Sequence, residues 1–179
     1  LPISLQEGYR LNKCLEVNNI AEKKRFEGIQ KYMDAKQQNY KKLWYWHGFG
    51  NHAGCDVTES EILAYGIKGS NRGLYHPKGV FFGAYAAKDL NYYKTHNHCD
   101  GAAFHTTMPD GCWKLLLVEI LVPNNAVQLT KKNQQTVRKA GTLVMFPANT
   151  EEDGVTHKKV VLFDPSMSIV RKVCWIETH

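Results

Sequence analysis

Three separated parts of the chain carry side chains that could bind a ligand. His47 and Gly48 end an apolar run, Phe81 lies in a second with Tyr92 shortly after it, and Lys159 directly precedes a third. An imidazole can hydrogen-bond a hydroxyl, a glycine backbone can approach a ligand closely, and an aromatic ring can stack on a flat one. Each feature alone is typical of packing or of a strand end, so a functional prediction depends on the ordered set.

A polar segment, residues 94–112, offers a different chemistry, that of a metal site. It contains histidines and cysteines, which are the side chains that bind zinc: His96, His98, Cys99, His105 and Cys112. Their spacing lacks the CxxC pairs typical of structural zinc. A solvated polar loop is therefore favoured over bound zinc.

A cysteine–histidine nucleophile is a third alternative. His52 and Cys55 follow His47 closely, and a thiol beside an imidazole can be activated for attack. No third residue is placed to orient the imidazole, so a cysteine hydrolase is the least favoured alternative.

Composition indicates one globular domain spanning residues 1–179. The chain is 43% hydrophobic and 11% aromatic, which argues against disorder, and no apolar stretch is long enough to span a bilayer. The net charge of +6 is spread over lysine pairs and triplets. That spread disfavours nucleic acid as a partner and is equally compatible with a phosphate-bearing small molecule.

The five cysteines indicate a reducing compartment. Their number is odd and their spacing irregular, which does not suit a disulfide framework. The first residues also lack the charged-then-apolar pattern of a signal peptide. An intracellular location, cytoplasmic or nuclear, is the resulting expectation.

The elements that must position these residues follow from hydrophobic periodicity. Short β-branched runs predict strands, and residues 20–38 place apolar side chains at helical spacing behind an Asn18-Asn19 cap signal. The fold class is therefore α+β and rich in strands. The predicted strands are 11–17, 43–46, 80–82, 113–122, 127–129, 142–145, 159–163 and 168–175, and the predicted helices are 20–38, 59–65 and 84–93.

In order and spacing these motifs resemble the catalytic domain of the poly(ADP-ribose) polymerase family, the diphtheria-toxin-like ADP-ribosyltransferases. The resemblance covers about 165 residues, as a single domain of this size would. It rests on Trp46-His47-Gly48, on the segments "SEILAYG" and "KGVFFGAYAAKDLNYY", on the strand "LLLVEILV", and on the closing "KVVLFDPSMSI". It implies the ADP-ribosyltransferase fold, two packed, mainly antiparallel sheets with flanking helices and a cleft for NAD⁺ between them.

The resemblance also implies roles for single residues. His47 and Gly48 match the family's ribose- and amide-binding pair, and Tyr92 matches the tyrosine that stacks on nicotinamide. Phe81 stands where most members have tyrosine, and Asp89 stands where the family usually has a serine that contacts the amide. NAD⁺ as substrate and an acceptor protein are the implied partners.

Lys159 occupies the position where the family often carries its catalytic glutamate. A charged lysine accepts no hydrogen bond and opposes the positive charge of an oxocarbenium-like transition state. Polymer synthesis is therefore not expected. Two functions remain open. One is mono-ADP-ribosyl transfer, aided by the acceptor's carboxylate or by a local acid such as Glu151, Glu152 or Asp153, which are expected in the loop before Lys159. The other is a pseudoenzyme that binds NAD⁺, ADP-ribose or a protein.

Overall fold

The computed structural model describes residues 5, 8–47, 59–67, 80–83, 112–129, 144–147, 150–152, 155–157, 159–162 and 164–178. These ranges contain both helices and strands, as predicted, and the pairing between strands is mainly antiparallel. The elements in chain order are β1 (Tyr9–Glu16), α1 (Ile20–Ala35), β2 (Tyr40–His47), α2 (Glu59–Tyr65), β3 (Val80–Gly83), β4 (Cys112–Pro123), β5 (Val127–Leu129), β6 (Val144–Pro147), β7 (Thr150–Glu152), β8 (Val155–His157), β9 (Lys159–Leu162), a 3₁₀ turn (Pro165–Met167) and β10 (Ser168–Thr178).

The described strands of the main sheet share one hydrogen-bonded order, β1-β10-β4-β2-β3-β9-β6-β5. Its first four strands pair antiparallel over long registers, whereas the last pair, β5 and β6, is parallel. The two four-stranded halves meet at a single registered pair, Trp46 with Gly83. We expected two separate sheets packed together, whereas in the structure this pair joins the two halves into one hydrogen-bonded strand order.

Strand β4 is the centre of the described core. Its side chains from Lys114 to Val122 are all buried, which explains why it reads as a nearly continuous apolar run. Successive residues face opposite sides of the sheet. Leu116, Val118 and Ile120 belong to the cluster that contains Phe26 of α1, whereas Leu115 and Leu117 belong to a second cluster.

Helix α1 begins at the predicted cap and buries one face. The side chain of Asn19 accepts a hydrogen bond from the backbone N–H of Glu22 at 3.1 Å, which satisfies one of the free donors at the helix start. Phe26 and Met33 lie on the buried face, while the remainder is largely polar. The helix ends before Gln37, whose φ of 55° is left-handed, so it is shorter than the predicted 20–38.

Arg25 links α1 to the start of β10 by hydrogen bonds. Its guanidinium donates to the carbonyl oxygens of Ser166 and Ser168, the latter at 2.7 Å, and it pairs with Glu22 at 2.7 Å. Backbone carbonyls at a turn would otherwise need water, so this contact satisfies them while the helix packs against the sheet.

Helix α2 has the predicted bounds, 59–65, and Gly66 directly after it adopts a conformation that other residues rarely adopt. Its φ is +80°, and a Cβ built on it would lie 2.6 Å from Oε2 of Glu22. Arg25 donates two hydrogen bonds to Glu22, of 2.9 and 2.7 Å, so the carboxylate cannot move aside without losing them. The turn after α2 therefore requires glycine.

Gly66→Ala is expected to lower the free energy of unfolding by about 2 kcal/mol, through left-handed strain and the displaced carboxylate. The matched control is Gly28→Ala in α1, where an added Cβ meets nothing within 4 Å. That change should be neutral or stabilise by about 0.5–1 kcal/mol. Urea unfolding midpoints measure both, and equal midpoints for the two variants would contradict the tight turn.

The phenol of Tyr45, buried on β2, makes stability depend on alkaline pH. Burial raises the pKa of Tyr45 from 10.0 to about 12. The unfolded chain therefore releases this proton first, so the stabilisation is complete below pH 10 and is lost as pH rises through 12. Tyr45→Phe should remove about 2 kcal/mol of the fall in unfolding free energy over that range. Urea unfolding of the parent chain and of Tyr45→Phe at several alkaline pH values measures this, and an equal fall for both would contradict a role for the Tyr45 phenol.

A further part of the described backbone differs from the expectation. Glu151 and Glu152 were expected in the loop that precedes Lys159, but Thr150–Glu152 and Val155–His157 pair antiparallel as β7 and β8. The predicted helix 84–93 lies outside the described residues. Within the described ranges, neither helix has the length and apolar character needed to cross a membrane.

Candidate functional site

Strand β2 carries His47 at its end. Tyr40–His47 pairs with β4 along its whole length, and His47 lies opposite Leu116. Trp46 just before it is fully buried, whereas His47 is half-buried and already engaged in an interaction. The packing of Trp46 therefore fixes the backbone from which the imidazole projects.

A row of backbone positions crosses three adjacent strands and brings the separated motifs together. Trp46 of β2 pairs with Gly83 of β3, and Gly83 pairs with Lys159 of β9. Two residues along, Phe81 of β3 pairs with Val161 of β9. Strands that carry His47, Phe81 and Lys159 are thus neighbours in the sheet, although about 110 residues separate the first from the last.

The pleat separates His47 from this row. Trp46 pairs with Leu117 and shares its cluster, whereas His47 pairs with Leu116, which belongs to the cluster on the other face. Registered partners share a face and neighbouring residues alternate, so His47 and the Trp46–Gly83–Lys159 row belong to opposite faces of the sheet.

Several predicted site residues lie outside the described ranges. These are Gly48, Asp89 and Tyr92, together with the acid candidate Asp153. The other two acid candidates, Glu151 and Glu152, lie on strand β7 instead of in the expected loop. That strand pairs with β8 in a hairpin separate from the main sheet.

The zinc hypothesis concerns residues that lie almost wholly outside the described ranges. Of the five candidates only Cys112, the first residue of β4, is described, and then by its backbone. His96, His98, Cys99 and His105 are outside. Among the residues that the structure does describe, no three histidine, cysteine, aspartate or glutamate side chains come together as a metal site requires.

A cavity of about 540 Å³ lies elsewhere, between the end of β1, the start of α1 and β10. Its walls include Glu16, Asn19, Leu63 and Trp175. Asn19 is already committed to structure, since it caps α1 and donates to the carbonyls of Leu63 and Ala64 at 2.8 and 3.0 Å. The cavity contains none of the predicted site residues and does not carry the chemistry assigned to them.

No family model and no curated protein matches this chain. A functional assignment therefore depends on the motif residues and on how the strands pair.

A basic row across β1, β10 and β4 was not foreseen from the sequence. Lys13 and Lys114 are both register partners of Trp175, and each Nζ lies 5.2 Å from the centroid of its ring. Lys114 is only 6% exposed, so the indole compensates part of its burial. The sequence predicted both β1 and β10 as strands, but it did not give their register.

Proposed function

We propose that the chain is an ADP-ribosyltransferase-like domain that binds NAD⁺ as substrate and transfers single ADP-ribose units to an acceptor protein. One observation carries the proposal, the adjacency of β2, β3 and β9 through the pairs Trp46–Gly83 and Gly83–Lys159. It supports the proposal because one ligand can contact all three motifs only if the strands that carry them lie close together. NAD⁺ is an intracellular substrate, in keeping with the location expected from the cysteines.

The proposed roles follow the chemistry of each side chain. His47 binds a ribose hydroxyl, and the backbone of Gly48 holds the nicotinamide amide. Phe81 and Tyr92 provide aromatic faces for the nicotinamide ring, and Asp89 accepts a hydrogen bond from the amide NH₂.

Lys159 limits the reaction to single transfers. Chain extension needs an acceptor group that activates a ribose hydroxyl, and an ammonium group has no lone pair to offer. Its positive charge beside the breaking glycosidic bond also opposes the developing oxocarbenium ion. Mono-transfer then relies on an acid from outside the row, either a carboxylate of the acceptor or one of Glu151, Glu152 and Asp153.

A second candidate function is a non-catalytic binding module of the same fold. Two observations favour it: the lysine at the glutamate position and the pleat, which gives His47 and the Lys159 row opposite faces. In that case the domain binds NAD⁺, ADP-ribose or a protein without breaking a bond.

Incubation of the purified chain with NAD⁺ labelled in its ADP-ribose part separates the two candidates. An active transferase modifies itself or an added protein extract, and His47→Ala should reduce the labelling at least about tenfold, as loss of a ribose contact would. His157→Ala on β8 is the matched control and should label like the parent chain. Bound but untransferred NAD⁺ supports the non-catalytic module, and labelling unaffected by His47→Ala contradicts the assigned site.

A further inference from the structure

Two cysteines face each other across the edge of the sheet. Cys14 of β1 and Cys174 of β10 are direct register partners, although 160 residues separate them in the chain. Their sulfur atoms are 2.9 Å apart. Cys174 is fully buried, and Cys14 is half-buried on the edge strand.

This geometry is close to that of a disulfide. Directly opposed residues of antiparallel strands have Cα atoms about 4.5–5.5 Å apart, within the range of about 4.4–6.8 Å that disulfides accept. The bonded distance between sulfurs is about 2.05 Å, so an approach of roughly 0.9 Å completes the bond. Small side-chain rotations achieve such a shift, and the strand register need not change.

We propose that Cys14 and Cys174 are a reversible oxidation site, at which a small disulfide such as oxidised glutathione converts the two thiols into a cross-strand disulfide. The site is separate from the proposed NAD⁺ chemistry and does not depend on it. It refines the expectation of five reduced cysteines, because one pair is placed to respond to the redox state of the compartment.

The reaction proceeds in two exchanges. The thiolate of Cys14 attacks one sulfur of oxidised glutathione, forming a mixed disulfide and releasing one glutathione thiolate. The thiolate of Cys174 then attacks the Cys14 sulfur, forming the Cys14–Cys174 bond and releasing the second. The two protons lost by the cysteines go to the released thiolates, so the cysteines are oxidised and one glutathione disulfide becomes two thiols.

Exposure sets the order of these steps. Cys14 is reachable from solvent because β1 ends the sheet order, whereas Cys174 is closed off within the cluster of Trp46, Leu115, Leu117 and Ile176. Burial and the neighbouring Cys14 also raise the pKa of Cys174, which disfavours its attack on an external oxidant. Cys174 is therefore the resolving thiol.

The disulfide would lock the edge of the sheet. It joins β1 to β10 and closes a loop that contains nearly the whole chain, which restricts the unfolded state more than the folded one. Cys174 packs in the same cluster as Trp46, which precedes His47 on β2. The disulfide would therefore restrain the side-chain packing against that strand.

The test is oxidation of the full purified chain in glutathione buffers, followed by alkylation of free thiols and peptide mass mapping. We expect one cross-linked peptide pair, Cys14 with Cys174, with loss of two hydrogen atoms and with the other three cysteines alkylated. The melting temperature should rise by about 5–15 °C and return on reduction with dithiothreitol.

Cys14→Ser is the informative variant, since a half-buried position tolerates the hydroxyl, and it should abolish both the cross-link and the thermal shift. Cys55→Ser removes a thiol outside the pair and should preserve both. The proposal is overturned if Cys14 and Cys174 are alkylated in the oxidised chain, or if either is found joined to another cysteine. Peptide mass mapping of the oxidised parent chain tests the Cys14–Cys174 disulfide even if a variant folds poorly.

Discussion

Replacing Phe26 by alanine is expected to lower the free energy of unfolding by about 3–5 kcal/mol. Phe26 is fully buried on the inner face of α1 and belongs to the cluster that covers β4 and β10. Its ring also lies 5.4 Å from the guanidinium carbon of Arg171. Truncation leaves a cavity beneath α1 and removes this cation–π contact, so the loss exceeds the transfer energy of the ring alone.

The matched control is Tyr32→Ala on the same helix. Tyr32 is 61% exposed, so its removal deletes an aromatic ring of similar size without opening the core. Its loss should cost less than about 0.5 kcal/mol. Guanidinium unfolding of both variants provides the comparison, and similar midpoints for the two would show that α1 does not pack on the sheet as described.

Lys159→Glu is expected to raise ADP-ribosyl transfer about 10²–10³-fold over the parent chain, because one favourable electrostatic contact at a transition state is worth that much. The backbone of Lys159 pairs with Gly83 and so lies beside β2 and β3, which carry His47 and Phe81. A carboxylate there accepts a ribose hydroxyl and favours the oxocarbenium ion, where an ammonium group opposes it.

Lys159→Gln distinguishes the effect of removing the positive charge from the effect of adding a carboxylate. It removes the positive charge without adding a carboxylate, so its transfer rate should lie between those of the parent chain and Lys159→Glu. Initial rates of label incorporation from NAD⁺ measure all three. Equal rates for the glutamine and glutamate variants would place position 159 outside the reacting centre.

Elements with a strong local pattern were predictable. Helix α1 has apolar residues at helical spacing behind the Asn19 cap, and β4 is a long, nearly continuous apolar run, so a short window of sequence predicts each of them. Gly66 marks the end of α2 because only glycine readily adopts its left-handed backbone. The hairpin of β7 and β8 was missed because "TEE" and "VTH" are polar and only three residues long each.

Long-range pairing was not predictable from the sequence. The row from Trp46 through Gly83 to Lys159 and the contact between Cys14 and Cys174 depend on register between distant strands, and no local pattern encodes it. For the candidate site, the residue types and their order came from the sequence. The opposite faces of His47 and the Lys159 row became visible only from the cluster that each β2 residue joins.

NAD⁺-dependent stabilisation tests the central claim most directly. A ligand that binds only the folded chain raises the free energy of unfolding by about 2.7 kcal/mol at 100 times its dissociation constant, equivalent here to a melting temperature about 5–10 °C higher. We predict such a rise with NAD⁺ for the parent chain, and a smaller one for His47→Ala. An unchanged melting temperature at millimolar NAD⁺ would contradict both the transferase and the NAD⁺-binding module.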